Sequence, residues 1–122
     1  MKPSILIVDD EKVICEGLSR VLSDDYETYF ALNGKEALDI VSRKKNIDVM
    51  LCDIMMPEME GTEVIEKIRS TNKEMVMIVI TAVTNPKIVC AAMKKGANNF
   101  MLKPLNMPRL ETAIKNAIRK TS

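Results

Sequence analysis

Three short runs in this 122-residue chain are apolar at every position: Ile5–Val8, Val49–Cys52 and Met75–Ile80. A strand with one wetted face alternates polar and apolar residues, so unbroken runs of this length fit strands covered on both faces. Each run stops at a polar residue: Asp9 after the first, Asp53 after the second, Thr81 after the third. Two further runs, Tyr26–Ala31 and Asn99–Leu102, mix polar with apolar residues, which suits the edges of a sheet. Strands are therefore expected over Ser4–Val8, Tyr26–Ala31, Asp48–Asp53, Met75–Thr81 and Asn99–Leu102.

Between and after these runs the apolar spacing becomes helical. Ile14, Leu18, Val21 and Leu22 share one face, and Ala37, Leu38 and Val41 another. Val64, Ile65 and Ile68 form the third, and Leu110, Ala113, Ile114, Ala117 and Ile118 the last. Asn33 is placed to cap the second helix. Met56-Pro57 with Gly61 marks the loop before the third, and Asn85-Pro86 opens the fourth, which Gly96 closes. Strand and helix thus alternate five times. Right-handed crossovers then predict an α/β three-layer fold, a five-stranded parallel sheet in the order 2-1-3-4-5, the flavodoxin-like (βα)5 arrangement. Residues 1–122 are read as one domain, a length that buries a single core without metal or disulfide support.

Composition removes whole classes of chemistry. With no histidine, neither a Ser-His-Asp nor a Cys-His machine can be built, and the chain cannot carry its own phosphohistidine. Cys15, Cys52 and Cys90 lack CxxC spacing, so a zinc site and a disulfide framework are both disfavoured. Each lies in an apolar stretch, where a thiol is expected as a small buried hydrophobe, although Cys52 beside Asp53 is also a candidate redox sensor. No apolar run is long enough for a bilayer and no signal-like leader opens the chain, so a cytoplasmic location away from membranes is expected. Charge is unevenly spread. Residues 1–83 hold 10 Lys and Arg against 16 Asp and Glu, whereas residues 84–122 hold 8 against 1. That basic third is either a set of solvated helix faces or a surface that steers an acidic partner, and no DNA-reading motif accompanies it.

Ligands of such sheets bind beyond the carboxyl ends of the strands, where strand order reverses. Asp9 and Asp10 close the first strand, Asp53 the third and Thr81 the fourth, and Lys103 follows the fifth, so these groups converge on one shallow cleft. Three gathered carboxylates repel one another unless a cation joins them, and an open, partly hydrated oxygen site suits Mg²⁺. The cation would shield a carboxylate nucleophile from an incoming phosphoryl group. Lys103 supplies positive charge on the other side and Thr81 a hydroxyl donor. Taken singly, each residue has a structural reading: Asp9 or Asp10 as a helix cap, Asp53 as a loop residue, Thr81 as a β-former, Lys103 as a surface charge.

The stretches Ile5–Glu11 (ILIVDDE), Leu51–Gly61 (LCDIMMPEMEG), Val79–Ala82 (VITA) and Gly96–Pro104 (GANNFMLKP) resemble the signature segments of bacterial two-component response-regulator receiver domains, from about Lys2 to Arg119. The resemblance implies that Asp53 is the phosphoacceptor. It implies that Asp10, Asp53 and the backbone carbonyl of Met55 ligate Mg²⁺, with Asp9 reaching the metal through water. Lys103 matches the phosphate-contacting lysine, and its bond to Pro104 is expected to be cis. Thr81 and Phe100 match a switch pair, in which the threonine moves toward the phosphoryl group and the ring turns inward. The implied partners are a sensor histidine kinase or histidine phosphotransfer protein upstream, and a target or fused output domain downstream. A phosphorylation-dependent homodimer is also compatible. Asn98 and Asn99 stand where acidic residues are common, Phe100 replaces a frequent tyrosine, and Ala82 leaves room above Asp53.

The expected function is therefore a phosphorylation-operated receiver, read out on the face made by the fourth helix, fifth strand and last helix, and not an enzyme beyond its own phosphorylation and dephosphorylation. A haloacid-dehalogenase-like phosphatase would want an acid two residues after its nucleophile, where Met55 stands. A nucleotide site would want clustered glycines, but Gly17, Gly34, Gly61 and Gly96 are dispersed. A receiver that only binds, without phosphorylation, remains the other alternative. Met1 is expected to be a native N-terminus; a stand-alone regulator and a piece excised ahead of a C-terminal output domain both fit the other end.

Overall fold

The computed structural model describes residues 2–44, 46–56, 60–82 and 85–121. Ten elements follow in strict alternation: β1 (Ser4–Val8), α1 (Lys12–Leu22), β2 (Glu27–Ala31), α2 (Gly34–Arg43), β3 (Val49–Asp53), α3 (Gly61–Arg69), β4 (Val76–Thr81), α4 (Pro86–Lys95), β5 (Asn99–Leu102) and α5 (Met107–Thr121). The strands are all parallel, in the order β2-β1-β3-β4-β5. The fold is the flavodoxin-like one expected.

The unbroken apolar runs divide their side chains between two cores. Leu6, Val8, Met50, Cys52, Met77 and Val79 face α2, α3 and α4, where Ala37, Val64, Ile65, Ile68 and Ala92 meet them. Ile5, Ile7, Val49, Leu51, Ile78 and Ile80 face α1 and α5, against Cys15, Leu18, Leu22, Leu110, Ile114 and Ala117. Burial of a large aliphatic side chain contributes roughly 1.5–3 kcal/mol, so a polar residue in any of these strands would cost heavily on one side or the other.

Helix ends follow the predicted chemistry. The Asn33 side chain accepts from the Glu36 N–H at 2.8 Å, and Asn85 accepts from the Lys87 N–H at 2.9 Å, with Pro86 next to it. Gly96 ends α4 at φ 130°, a backbone conformation that side-chain-bearing residues rarely adopt.

Four expectations need correction. Tyr26, Asp48 and Met75 precede their strands: the Tyr26 N–H is taken by the Leu22 carbonyl and that of Met75 by the Asn72 side chain. Val21 is exposed, because the buried stripe of α1 runs through Cys15, Leu18 and Leu22 and leaves it at the margin. Cys90 is exposed rather than packed, since it lies two positions, or about 200° of helix rotation, from buried Ala92. Asp9 and Asp10 do not cap α1: its N-cap is Glu11, which makes no side-chain capping bond. Among the described residues no helix is long and apolar enough to cross a membrane. The expected loop residue Pro57 lies outside the described residues.

Candidate functional site

Each polar residue singled out in the sequence stands at the carboxyl edge of the sheet. Asp9 leaves β1 with its N–H bonded to the Ala31 carbonyl at 3.1 Å, so β2 fixes where it points. One of its carboxylate oxygens accepts from the Glu11 N–H at 2.9 Å, which tightens the turn into α1. Asp53 ends β3 and accepts from the Met55 N–H at 3.1 Å. Both carboxylates are buried, at 4% exposure for Asp9 and 7% for Asp53, while Asp10 is exposed.

Lys103 joins them. Its backbone N–H is bonded to the Thr81 carbonyl at 2.8 Å, continuing the β4–β5 ladder, and its peptide bond to Pro104 is cis. From there Nζ reaches the second oxygens of Asp9 and Asp53, at 3.1 Å each. Thr81 is fully buried at the end of β4. Phe100 pairs with Val79 in register and so emerges on the α4 side of the sheet, 43% exposed. Ala82, just past β4, is exposed.

Burial raises the Asp53 pKa, and the hydrogen bonds from Lys103 and from the Met55 N–H only partly offset it. Burial also opposes the Lys103 charge, but the two carboxylates outweigh it and the lysine pKa rises. Carboxylate oxygens of Asp9, Asp10 and Asp53 lie within 4.8 Å of one another. Three acids facing one lysine leave an excess of negative charge at an open rim, and oxygen-only donors of this kind fit a hard divalent cation. The Met55 side chain is half exposed and its N–H already rests on Asp53, so only the backbone of that residue is at the site.

Three supporting residues escaped the sequence reading. A Cβ on Gly61 would sit against the Asp53 carbonyl and 2.7 Å from the Ile54 Cα, so only glycine lets α3 begin this close to the end of β3. Its N–H bonds the Ile54 carbonyl at 2.7 Å. The thiol of Cys15 lies beneath, donating to the Asp9 carbonyl at 3.4 Å, and burial holds its pKa up to about 11. Arg69 at the end of α3 donates to the Gly96 carbonyl and to the Asn98 side chain, which in turn accepts from the Met77 N–H, tying the starts of β4 and β5 together. Gly61 was visible only as a loop marker; the other two have no local signal. Cys52 is wholly buried and burial pushes its thiol pKa far up, so it lacks the thiolate that a redox sensor needs.

Residues 5–115 match the family model described as the response regulator receiver domain. The chain is 33% identical over 123 residues to the response regulator MprA of Mycobacterium sp. (strain KMS), covering 100% of this chain and 53% of that protein. It is 34% identical over 117 residues to a cyclic di-GMP phosphodiesterase of Thermotoga maritima, covering 95% of this chain and 31% of that one. The chain thus spans 31% and 53% of the length of these two curated relatives. Among solved structures, a response regulator receiver domain protein from Clostridium thermocellum superposes with a TM-score of 0.91 at 31% identity, covering 97% of this chain and 95% of that one.

Proposed function

Since the chain belongs to the response regulator receiver domain family, we propose that it takes a phosphoryl group onto Asp53 from the phosphohistidine of a sensor kinase or phosphotransfer protein. The observation that carries this reading is the convergence of Asp9 and Asp53 on the Lys103 ammonium at 3.1 Å each, beside exposed Asp10. A buried carboxylate whose charge is disfavoured, held between a fixed cation and an open acidic rim, is poised to accept an electrophile.

Mg²⁺ fits this donor set: Asp10, Asp53 and the Met55 carbonyl would hold it, with Asp9 in support, and it would neutralise charge on the transferring oxygens. The chain's own groups do the rest. An Asp53 oxygen attacks phosphorus as the bond to the donor imidazole, protonated on its other ring nitrogen, breaks, giving an acyl phosphate and a neutral histidine on the partner. Lys103 exchanges its Asp53 contact for a phosphoryl oxygen, and Asp9 keeps the ammonium in place. The Thr81 hydroxyl donates to a second phosphoryl oxygen, and the space it vacates admits the Phe100 ring. The surface formed by α4, β5 and α5 carries the readout to a downstream target or a fused output domain.

The domain works in the cytoplasm as a signalling part; the phosphodiesterase activity in one relative's name is not carried over to it. Incubation with acetyl phosphate, with and without Mg²⁺, followed by intact mass measurement is the test. One labile adduct that requires both Mg²⁺ and Asp53 is expected, and Asp53→Asn is expected to show none. A folded, Mg²⁺-binding protein that never forms the adduct would instead be a receiver that only binds.

A further inference from the structure

Resting on the reading of Asp53 as phosphoacceptor, we propose that Met55 is an oxidation site. A peroxide converts its thioether to the sulfoxide and so lowers the capacity of Asp53 to hold a phosphoryl group. Three sulfur-bearing residues adjoin or contact Asp9 and Asp53, and they differ in their access to water. The Cys52 thiol is wholly buried, and burial pushes its pKa far up. The Cys15 thiol is buried as well, donates to the Asp9 carbonyl at 3.4 Å and has its pKa raised to about 11. Neither offers a thiolate at neutral pH. Met55 is 50% exposed, and a thioether needs no ionisation to be oxidised.

Exposure also separates Met55 from other methionines. Met50, Met56, Met75 and Met77 are buried. Met93 is 37% exposed, but it stands near the end of α4 that leads into the start of β5, away from the carboxyl edge. The backbone of Met55 is held by its N–H bond to an Asp53 oxygen at 3.1 Å, which tethers the thioether beside the pocket. In the oxidation a sulfur lone pair attacks one oxygen of hydrogen peroxide and the O–O bond breaks. The leaving hydroxide takes the proton of the transferred oxygen and departs as water, so sulfur is oxidised and the peroxide reduced. An apolar side chain thereby becomes a polar one whose oxygen accepts hydrogen bonds and donates none. Asp9, Asp10 and Asp53 already present more acceptor oxygens than the Lys103 ammonium can satisfy, and phosphoryl oxygens are acceptors too. A further acceptor beside them disfavours the acyl phosphate.

The test treats the protein with dilute hydrogen peroxide and maps the added oxygen by fragment mass spectra. The peroxide is then removed and the Asp53 adduct formed with acetyl phosphate and Mg²⁺ is measured by intact mass. The wild type is expected to take oxygen at Met55 before Met50, Met56, Met75 and Met77, and to lose adduct by about threefold or more. Methionine sulfoxide reductases are expected to restore the adduct. Each variant is compared with its own untreated sample. Met55→Leu, which keeps the bulk and lacks the sulfur, is expected to hold its untreated level within about 1.5-fold, whereas Met93→Leu loses as much as the wild type. Oxidation of the buried methionines ahead of Met55, an adduct level unchanged or raised by the sulfoxide, an equal loss in Met55→Leu, or no recovery with the reductases would each overturn the proposal. An adduct that survives oxidation of Met55 defeats this inference alone. No adduct before treatment defeats the receiver reading, and this inference with it.

Discussion

Two regions joined by a single residue, the carboxylate pocket and the β5 edge, are built in opposite ways. Asp9 and Asp53 end strands that have neighbours on both sides and helices on both faces, so ladder bonds and packing fix their positions before any ligand arrives. β5 has four residues, one neighbour and three exposed side chains, Asn99, Phe100 and Leu102. Lys103 follows it directly and reaches back into the pocket. The proposed chemistry thus sits where the backbone has least freedom and the proposed readout where it has most. A change of charge in the first region can reach the second through one lysine and the β4–β5 ladder.

The largest expected difference between the two is their response to Mg²⁺. Binding to the pocket stabilises the folded state by about 2.7 kcal/mol at a hundredfold excess over the dissociation constant. A thermal melt with and without chelator should show this, and Asp10→Asn should remove most of it. An Asp10→Asn protein with an undiminished shift would place the metal elsewhere.

Removing the lysine comes next. Lys103→Met leaves Asp9 and Asp53 buried without their cation, at an expected cost of about 2 kcal/mol in urea unfolding of the metal-free protein at pH 7. The cost should shrink as pH falls, because the Asp53 pKa is raised by folding and its contribution is lost as pH rises through that value. The wild-type lysine titrates in the same sense but at higher pH: its raised pKa keeps its contribution intact through neutrality, to be lost only as pH rises through that value. A pH-independent cost would mean that Lys103 acts by packing alone.

Neutralising Asp53 is a smaller, opposite effect. The Asp53 pKa is raised on folding, so its contribution is present below the ordinary carboxylate value and lost as pH rises through the folded one. Asp53→Asn should therefore stabilise the metal-free protein at pH 7, by an amount that screening at this half-open rim keeps on the order of 1 kcal/mol, and the gain should vanish toward about pH 4. Destabilisation at pH 7 would show that the bond to Lys103 outweighs burial.

The edge should be the least sensitive. Phe100→Ala is expected to change unfolding free energy by no more than about 1 kcal/mol, since the residue is nearly half exposed at the sheet edge, while leaving the Asp53 adduct intact and blunting the amide shifts that phosphorylation produces on α4 and β5. A cost above about 2 kcal/mol would mean that the ring belongs to the core, and the contrast between the regions would fail.

The sequence alone determined the strands, their order and the residues at their ends. Continuous apolar runs can only be satisfied between two helical layers, and a parallel crossover brings every strand's last residue to the same edge. Hence Asp9, Asp10, Asp53, Thr81 and Lys103 could be named without coordinates. What tertiary structure decided is everything that depends on how far one element is turned or pressed against another. The rotation of α1 and α4 put Val21 and Cys90 in solvent despite their apolar neighbours in sequence. The approach of α3 to the end of β3 made Gly61 a steric requirement, and residues 27 and 29 positions apart became the clamp of Arg69 on Gly96 and Asn98. Periodicity reports which face of an element is apolar, but contacts between distant residues are set by packing of whole elements, and no local pattern encodes them.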